Sequence, residues 1–100
     1  MGSVEPTPRE LLKVYRALDN DHRLRIATLL LEEGELPFNE VARRLGVERG
    51  LLAYHLGVLR RAGLVDLRVE RRGRNTSFYS LTELGIRVLS SLGVRRGERA

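Results

Sequence analysis

Three observations predict a mainly helical α+β fold for this chain of 100 residues. Two short helical periods are joined by a glycine turn, an alternating arginine-rich stretch follows them, and an apolar helical segment flanks the whole on each side. In that order they form a winged helix-turn-helix with a two-stranded β-hairpin as the wing.

Each element has its own reason. From Phe38 to Leu45 the apolar residues Phe38, Val41, Ala42 and Leu45 fall at i, i+3, i+4 and i+7, on one face of a helix. Gly46 and Val47 stop it. Leu51, Leu52, His55, Leu56, Leu59 and Ala62 then keep a helical period through Arg61, and Gly63 stands where a helix end wants a positive φ. This second helix, read over 48–62, is the one that enters the major groove in a helix-turn-helix. Next, Val65, Leu67 and Val69 alternate with Asp66, Arg68 and Glu70, and Phe78, Tyr79 and Leu81 close a second strand. Residues Arg71 to Ser77 between them, with Gly73 and Asn75, read as the hairpin tip of a wing spanning 68–78.

The flanking helices carry a surplus of apolar residues. Leu11, Leu12, Val14, Tyr15 and Leu18 make the first apolar on more than one side, and Leu81, Leu84, Val88, Leu89 and Leu92 form a stripe on the last, with Ile86 off it. A domain this small gains little spare stability and often adds a subunit interface. The surplus therefore predicts a homodimer paired through Leu11, Leu12, Tyr15, Leu84, Val88, Leu89 and Leu92. Residues 8–93 are expected to form one domain, with 1–7 a flexible N-terminus and 94–100 a basic flexible tail.

The net charge of +5 is unevenly placed. Nine arginines and three acids lie between Arg43 and Arg74, so all of the excess positive charge sits in the helix-turn-helix and wing. A duplex phosphate backbone selects such segregation, because each neutralised phosphate releases counterions. The plainer alternative is a solvated basic face in an arginine-favouring composition, since Lys13 is the only lysine. The chain has no cysteine, which removes disulfides, thiolate metal ligands and thiol redox sensing. No apolar run approaches the ~20 residues that span a bilayer, so a soluble, cytoplasmic protein with no membrane partner is expected.

Candidate DNA contacts follow from helical phase. Arg49, Gly50, Ala53, Tyr54 and Gly57 point outward from the reader, and His55 stands at the border of its inward face. Arg49 suits a bidentate contact with guanine, worth ~1–3 kcal/mol of discrimination. Tyr54 suits a phosphate or a thymine methyl, and the small Gly50, Ala53 and Gly57 let the helix approach the groove. Glu48 favours the helix dipole but opposes a nearby phosphate. In the wing, Arg68, Arg71, Arg72, Arg74 and Asn75 are placed for the minor groove or its phosphates. Arg43, Arg44, Arg60 and Arg61 are assigned to phosphates, contacts that position a protein without reading sequence. His22, beside a helix cap at Asn20 or Asp21, reads as a surface residue. Two histidines without a nucleophile, base and acid set give no sign of an enzyme.

At this point a family resemblance enters. Ala17 to Leu30, ALDNDHRLRIATLL, resembles the opening of the ArsR-type winged-helix regulators. Leu51 to Val65, LLAYHLGVLRRAGLV, resembles their recognition helix and its exit. Gly73-Arg74, then Phe78 to Thr82, resemble the wing's return strand, and LTELG from Leu81 to Gly85 resembles the start of the last helix. The resemblance covers roughly Leu12 to Leu92, and in the Glu48-Arg49-Gly50 stretch it leans toward archaeal relatives. It implies a DNA-binding dimer joined through the first and last helices. It does not extend to metal sensing, because Pro37 and Asn39 stand where that family's thiolates would be and Leu84 to Leu92 offers neither Asp nor His. No metal or cofactor is expected.

Two functions remain open at the level of sequence. One is a dimeric, sequence-specific DNA-binding transcriptional regulator, a repressor, whose small-molecule effector is unknown. The other is a winged-helix module that binds protein within a transcription or chromatin complex and has only nonspecific DNA affinity.

Overall fold

Five helices and three strands follow one another among residues 5–97, the part that the computed structural model describes. Side-chain caps set most of the boundaries. Thr7 and Glu10 form a reciprocal capping box that opens α1 (Pro8–Leu18), with Pro8 in the first turn where its missing N–H costs nothing. The Asn20 side chain accepts from Arg23 N and opens α2 (Asp21–Glu33). After strand β1 (Leu36–Pro37) comes α3 (Phe38–Leu45), ended by Gly46 in the left-handed region at φ 62°. Glu48 caps α4 (Arg49–Arg61), and Thr82 caps α5 (Glu83–Ser91).

The hairpin is longer and better supported than its side-chain pattern suggests. Strand β2 (Val65–Arg72) pairs with β3 (Arg74–Leu81) out to Arg72 opposite Arg74, with Gly73 at the tip. Residues 71–77, expected as loop, are therefore mostly ladder, because backbone pairing continues where charged side chains hide the alternation. The sheet also has three strands rather than two, in the order β1-β3-β2. Leu36 pairs with Tyr79 and Pro37 with Phe78. Two residues carry no readable period, and proline is tolerated because β1 is an edge.

One core fills the space between the helices and the sheet root. Its fully buried side chains include Ile26 and Leu30 from α2, Val41 from α3, Leu52, Leu56 and Leu59 from α4, and Leu89 from α5. Leu64 joins them between α4 and β2, and its carbonyl accepts from Thr82 N at 3.0 Å. The Thr82 hydroxyl donates to the Gly63 carbonyl at 2.7 Å. One knot of bonds thus fixes the exit of α4, the end of the wing and the start of α5.

Two expected dimer residues belong to this core. Val88 and Leu89 are buried within the single chain, because the stripe on α5 is part of the chain's own core. They cannot also meet a partner. Leu12 and Leu92 are exposed, Leu11, Tyr15 and Leu84 half-buried, and Ile86 exposed on another side of α5. Tyr15 and Ser91 share a hydroxyl hydrogen bond at 2.7 Å, joining α1 to α5. Of the segments read as flexible, 1–4 and 98–100 lie outside the described residues, whereas Val94 packs on the core.

Candidate nucleic-acid interface

The N-terminal half of α4 is presented by a self-contained cap. Both carboxylate oxygens of Glu48 turn back onto their own helix, accepting from Gly50 N at 2.7 Å and Leu51 N at 3.1 Å. Those bonds hold its carboxyl below the usual carboxylate range. The charge is spent on the orphan N–H groups of the first turn, which lessens the phosphate repulsion expected of Glu48. A Cβ at position 50 would stand 3.2 Å from Glu48 Oε2, so the cap would have to shift by a few tenths of an ångström to admit a side chain there.

Arg49 is exposed but held. Its Nη1 donates to Asn39 Oδ1 at 2.6 Å, and its guanidinium lies 4.8 Å from the centre of the Phe38 ring. Cation–π contact and hydrogen bond together fix it against the start of α3. From there it lines a groove of about 220 Å³ with Arg74, Asn75, Thr76 and Ser77 of the wing. The structure thereby brings the leading candidate of the reader and the return strand of the wing to one place. Asn39 lines this groove too, and Leu51 in the first turn of α4 is exposed; the sequence reading missed both, and Asn39 beside a helix start was the available signal.

Further along α4, Ala53 and Tyr54 are exposed as expected. Gly57 is half-buried beneath the Arg61 guanidinium, whose Nη1 would be 3.2 Å from an added Cβ. That neighbour is the flexible tip of an exposed side chain, so packing alone does not demand glycine there. His55 leaves the set of DNA contacts altogether: it is 4% exposed. Its Nδ1 lies 3.0 Å from Arg23 Nη1, and since arginine only donates, that nitrogen is the acceptor and the ring proton sits on Nε2. Burial first, then the positive charge of Arg23 and the neighbouring His22, push its pKa down. His22 stacks 5.1 Å from it, half-buried rather than on the surface.

Several of the arginines are already paired within the chain. Arg68 bridges Glu35 at 2.8 Å and Glu70 at 2.9 Å, and lies 4.6 Å from the centre of the Phe78 ring. It clamps the wing root to the start of β1 and is withdrawn as a DNA contact. The same bond holds the Glu35 carboxyl below its ordinary range. Arg43 grips Glu40 through two nitrogens, and Arg44 reaches Glu33 at 3.2 Å and Glu40 at 3.4 Å. Arg43 first, then Arg44, draw Glu40 down to about 2. These two face local carboxylates, which weakens their assignment to phosphates.

The remaining candidates are differently placed. Arg71, Arg72, Arg74 and Asn75 are exposed on the outer hairpin, and among the described residues no ion pair engages the three arginines. Arg60 and Arg61 are exposed at the far end of α4, ~17 Å along its axis from Arg49 at the usual helical rise. There Arg61 borders a cleft with Lys13, Arg16 and Arg23.

An exposed, self-capped helix start, a glycine-broken helix pair and a cationic hairpin beside it define a winged helix-turn-helix of the DNA-binding, transcription-regulating class. The helix-turn-helix domain family matches over residues 18–68. The chain is 33% identical over 92 residues to the transcriptional activator HlyU of Vibrio cholerae, covering 92% of this chain and 82% of that one. The solved HlyU structure superposes with a TM-score of 0.74 at 31% identity, covering 89% and 94%. The biofilm growth-associated repressor of Xylella fastidiosa is 32% identical, covering 80% and 67%, and its structure gives a TM-score of 0.69. The homodimeric winged helix-turn-helix DNA-binding domain Mb0332 of Mycobacterium bovis, a possible ArsR-family regulator, gives a TM-score of 0.72 at 26% identity, covering 92% and 88%. The chain belongs to the ArsR-type family of winged helix-turn-helix transcriptional regulators.

Proposed function

We propose that the protein is a homodimeric repressor that reads a pseudo-palindromic operator. The observation that carries this reading is the convergence of Arg49, fixed at the start of α4, with Arg74 and Asn75 on the return strand of the wing, a hairpin that also carries the exposed Arg71 and Arg72. Arg49, Ala53 and Tyr54 address bases in the major groove, with Leu51 at their edge, while Arg71, Arg72, Arg74 and Asn75 meet the minor groove or its phosphates. Pairing through Leu11, Leu12, Tyr15, Leu84 and Leu92 sets two readers about 34–36 Å apart, one turn of duplex. The homodimeric state of the Mycobacterium bovis relative supports the pairing. The Xylella relative is named a repressor, which supports this sign of regulation, whereas the Vibrio relative is named an activator. No described helix is long and apolar enough to cross a membrane, and a cytoplasmic regulator fits that.

Fluorescence anisotropy tests the reading, on the duplex upstream of the protein's own gene and on a scrambled duplex of equal composition, across a range of salt. Tight binding to the first that survives moderate salt, with loss of the second, is expected of a sequence reader. Equal binding that vanishes together as salt rises reduces the arginines to a nonspecific patch.

A further inference from the structure

We propose that the cationic cleft between α1, α2 and α4 is a phosphate-binding shelf, through which the first helix grips the DNA backbone beside the bases that α4 reads. The proposal rests on the DNA-binding reading and extends it to a helix otherwise assigned to pairing. The cleft holds about 250 Å³, and its lining includes four cations, Lys13, Arg16, Arg23 and Arg61, and no acid. Asp19 and Asp21, the acids at the joint of α1 and α2, do not line it. The four charges differ in how free they are. Arg23 donates to the Ala17 carbonyl and to His55 Nδ1, so it adds charge but has fewer donors to offer. Lys13 is attracted to Glu10 one turn before it, although that carboxylate is already bonded to Thr7 N at 2.7 Å. Arg16 and Arg61 are exposed, and among the described residues no ion pair engages them. These two carry the site.

Position chooses the partner. Ala53, Gly57 and Arg61 stand at i, i+4 and i+8, one row along α4 away from its buried side, with the exposed Tyr54 next to it. The Arg61 guanidinium folds back over Gly57, since a Cβ added there would lie 3.2 Å from its Nη1. It therefore points along the row toward the reading half of the helix. Arg16 and Lys13 continue the positive surface sideways onto α1. A helix ~10–12 Å across fills a major groove ~12 Å wide, so cations on its flank face the phosphate wall rather than base edges. Such contacts position the reader without adding sequence preference. Lys13 falls on the side of α1 roughly opposite Leu11 and Tyr15, so pairing through those residues leaves it clear.

The test replaces Lys13→Gln and Arg16→Gln together, with circular dichroism and sedimentation showing that fold and pairing are kept. Affinity is measured by anisotropy on the duplex upstream of the protein's own gene and on its scrambled match, across salt. The slope of log affinity against log salt should fall by about two on both duplexes, with the ratio between them unchanged. Arg61→Gln, on the other wall of the cleft, should lower it by about one even if the α1 variant fails to fold. Duplexes with single phosphates neutralised as methylphosphonates then locate the contact. One or two of them should weaken the parent several-fold and the variants not at all. Unchanged slopes, or losses that add at every phosphate, overturn the shelf and leave the cleft to an acidic protein segment or to solvent. A parent that binds neither duplex overturns the DNA-binding reading itself and the shelf with it, a result distinct from a parent whose slope the variants keep.

Discussion

Two glycines in helices should respond to the same substitution with opposite sign. In Gly57→Ala the new Cβ meets the Nη1 end of Arg61 at 3.2 Å, the tip of a flexible, exposed side chain that can swing aside. The helix then gains up to ~1 kcal/mol of propensity, so the variant should be more stable by roughly 0.5–1 kcal/mol. In Gly85→Ala the new Cβ stands 2.5 Å from the Leu64 carbonyl oxygen, where real Cβ atoms keep at least 3.0 Å, and 3.2 Å from Leu81 Cδ2. That oxygen is backbone, and it already accepts from Thr82 N. Overpacking of this kind costs about 1–3 kcal/mol, and a stretched hydrogen bond adds about 0.5–1.5 kcal/mol. Offsetting up to ~1 kcal/mol of propensity leaves a net loss of ~1–3 kcal/mol, several degrees of Tm for a domain of this size. Urea and thermal unfolding followed by circular dichroism, at several protein concentrations because the proposed pairing would stabilise the fold, read both variants. A Gly85→Ala protein more stable than the parent would refute the close approach of α5 to Leu64.

Other perturbations separate the roles assigned to the surface. Arg49→Ala should relax discrimination among operator sequences, whereas Arg72→Ala or Arg74→Ala should weaken all duplexes alike and lower the salt slope by about one each; equal losses on every sequence for Arg49→Ala remove it as a base reader. Arg68→Gln should lower DNA affinity without reducing the salt slope, since its charge is spent at the wing root; a slope reduced by about one would return it to the phosphate contacts. Leu12→Glu and Leu92→Glu should shift the dimer to monomer in sedimentation while the helical signal is kept, and an unchanged dimer would move the interface elsewhere. Stability should fall with acid in two steps. His55 has its pKa depressed in the folded protein, so its contribution is complete above the unfolded value near 6.5 and is lost as pH falls below it. Glu35, Glu40 and Glu48, also depressed, are lost only below the carboxylate value near 4.5. A Tm that stays flat from pH 7 to 5 in the parent would contradict the buried neutral His55.

The helix-turn-helix was legible because its apolar period is uninterrupted and Gly46 and Gly63 punctuate it. Strand β1 was not, since two residues hold no period and their pairing with Phe78 and Tyr79 is set from forty residues away. The site was legible as a list of cations and illegible as a list of partners. Nothing local links Arg68 to Glu35, or His55 to Arg23, both more than thirty residues apart. Val88 and Leu89 show the same limit on α5, where a stripe announces burial without saying against which surface.

The uneven support of the hairpin has a mechanical consequence. Strand β1 braces β3 only at Phe78 and Tyr79, so from Val69 to the Gly73 tip the wing is a two-stranded ribbon. At ~3.3 Å per residue this is a cantilever of roughly 13 Å with the arginines Arg71, Arg72 and Arg74 at its end. Its compliance lets those charges follow grooves of differing width at small elastic cost, while Arg49 stays held by Phe38 and Asn39 at the start of α3. Stiff reading and tolerant gripping are thus divided between the start of the helix pair and the free end of the hairpin.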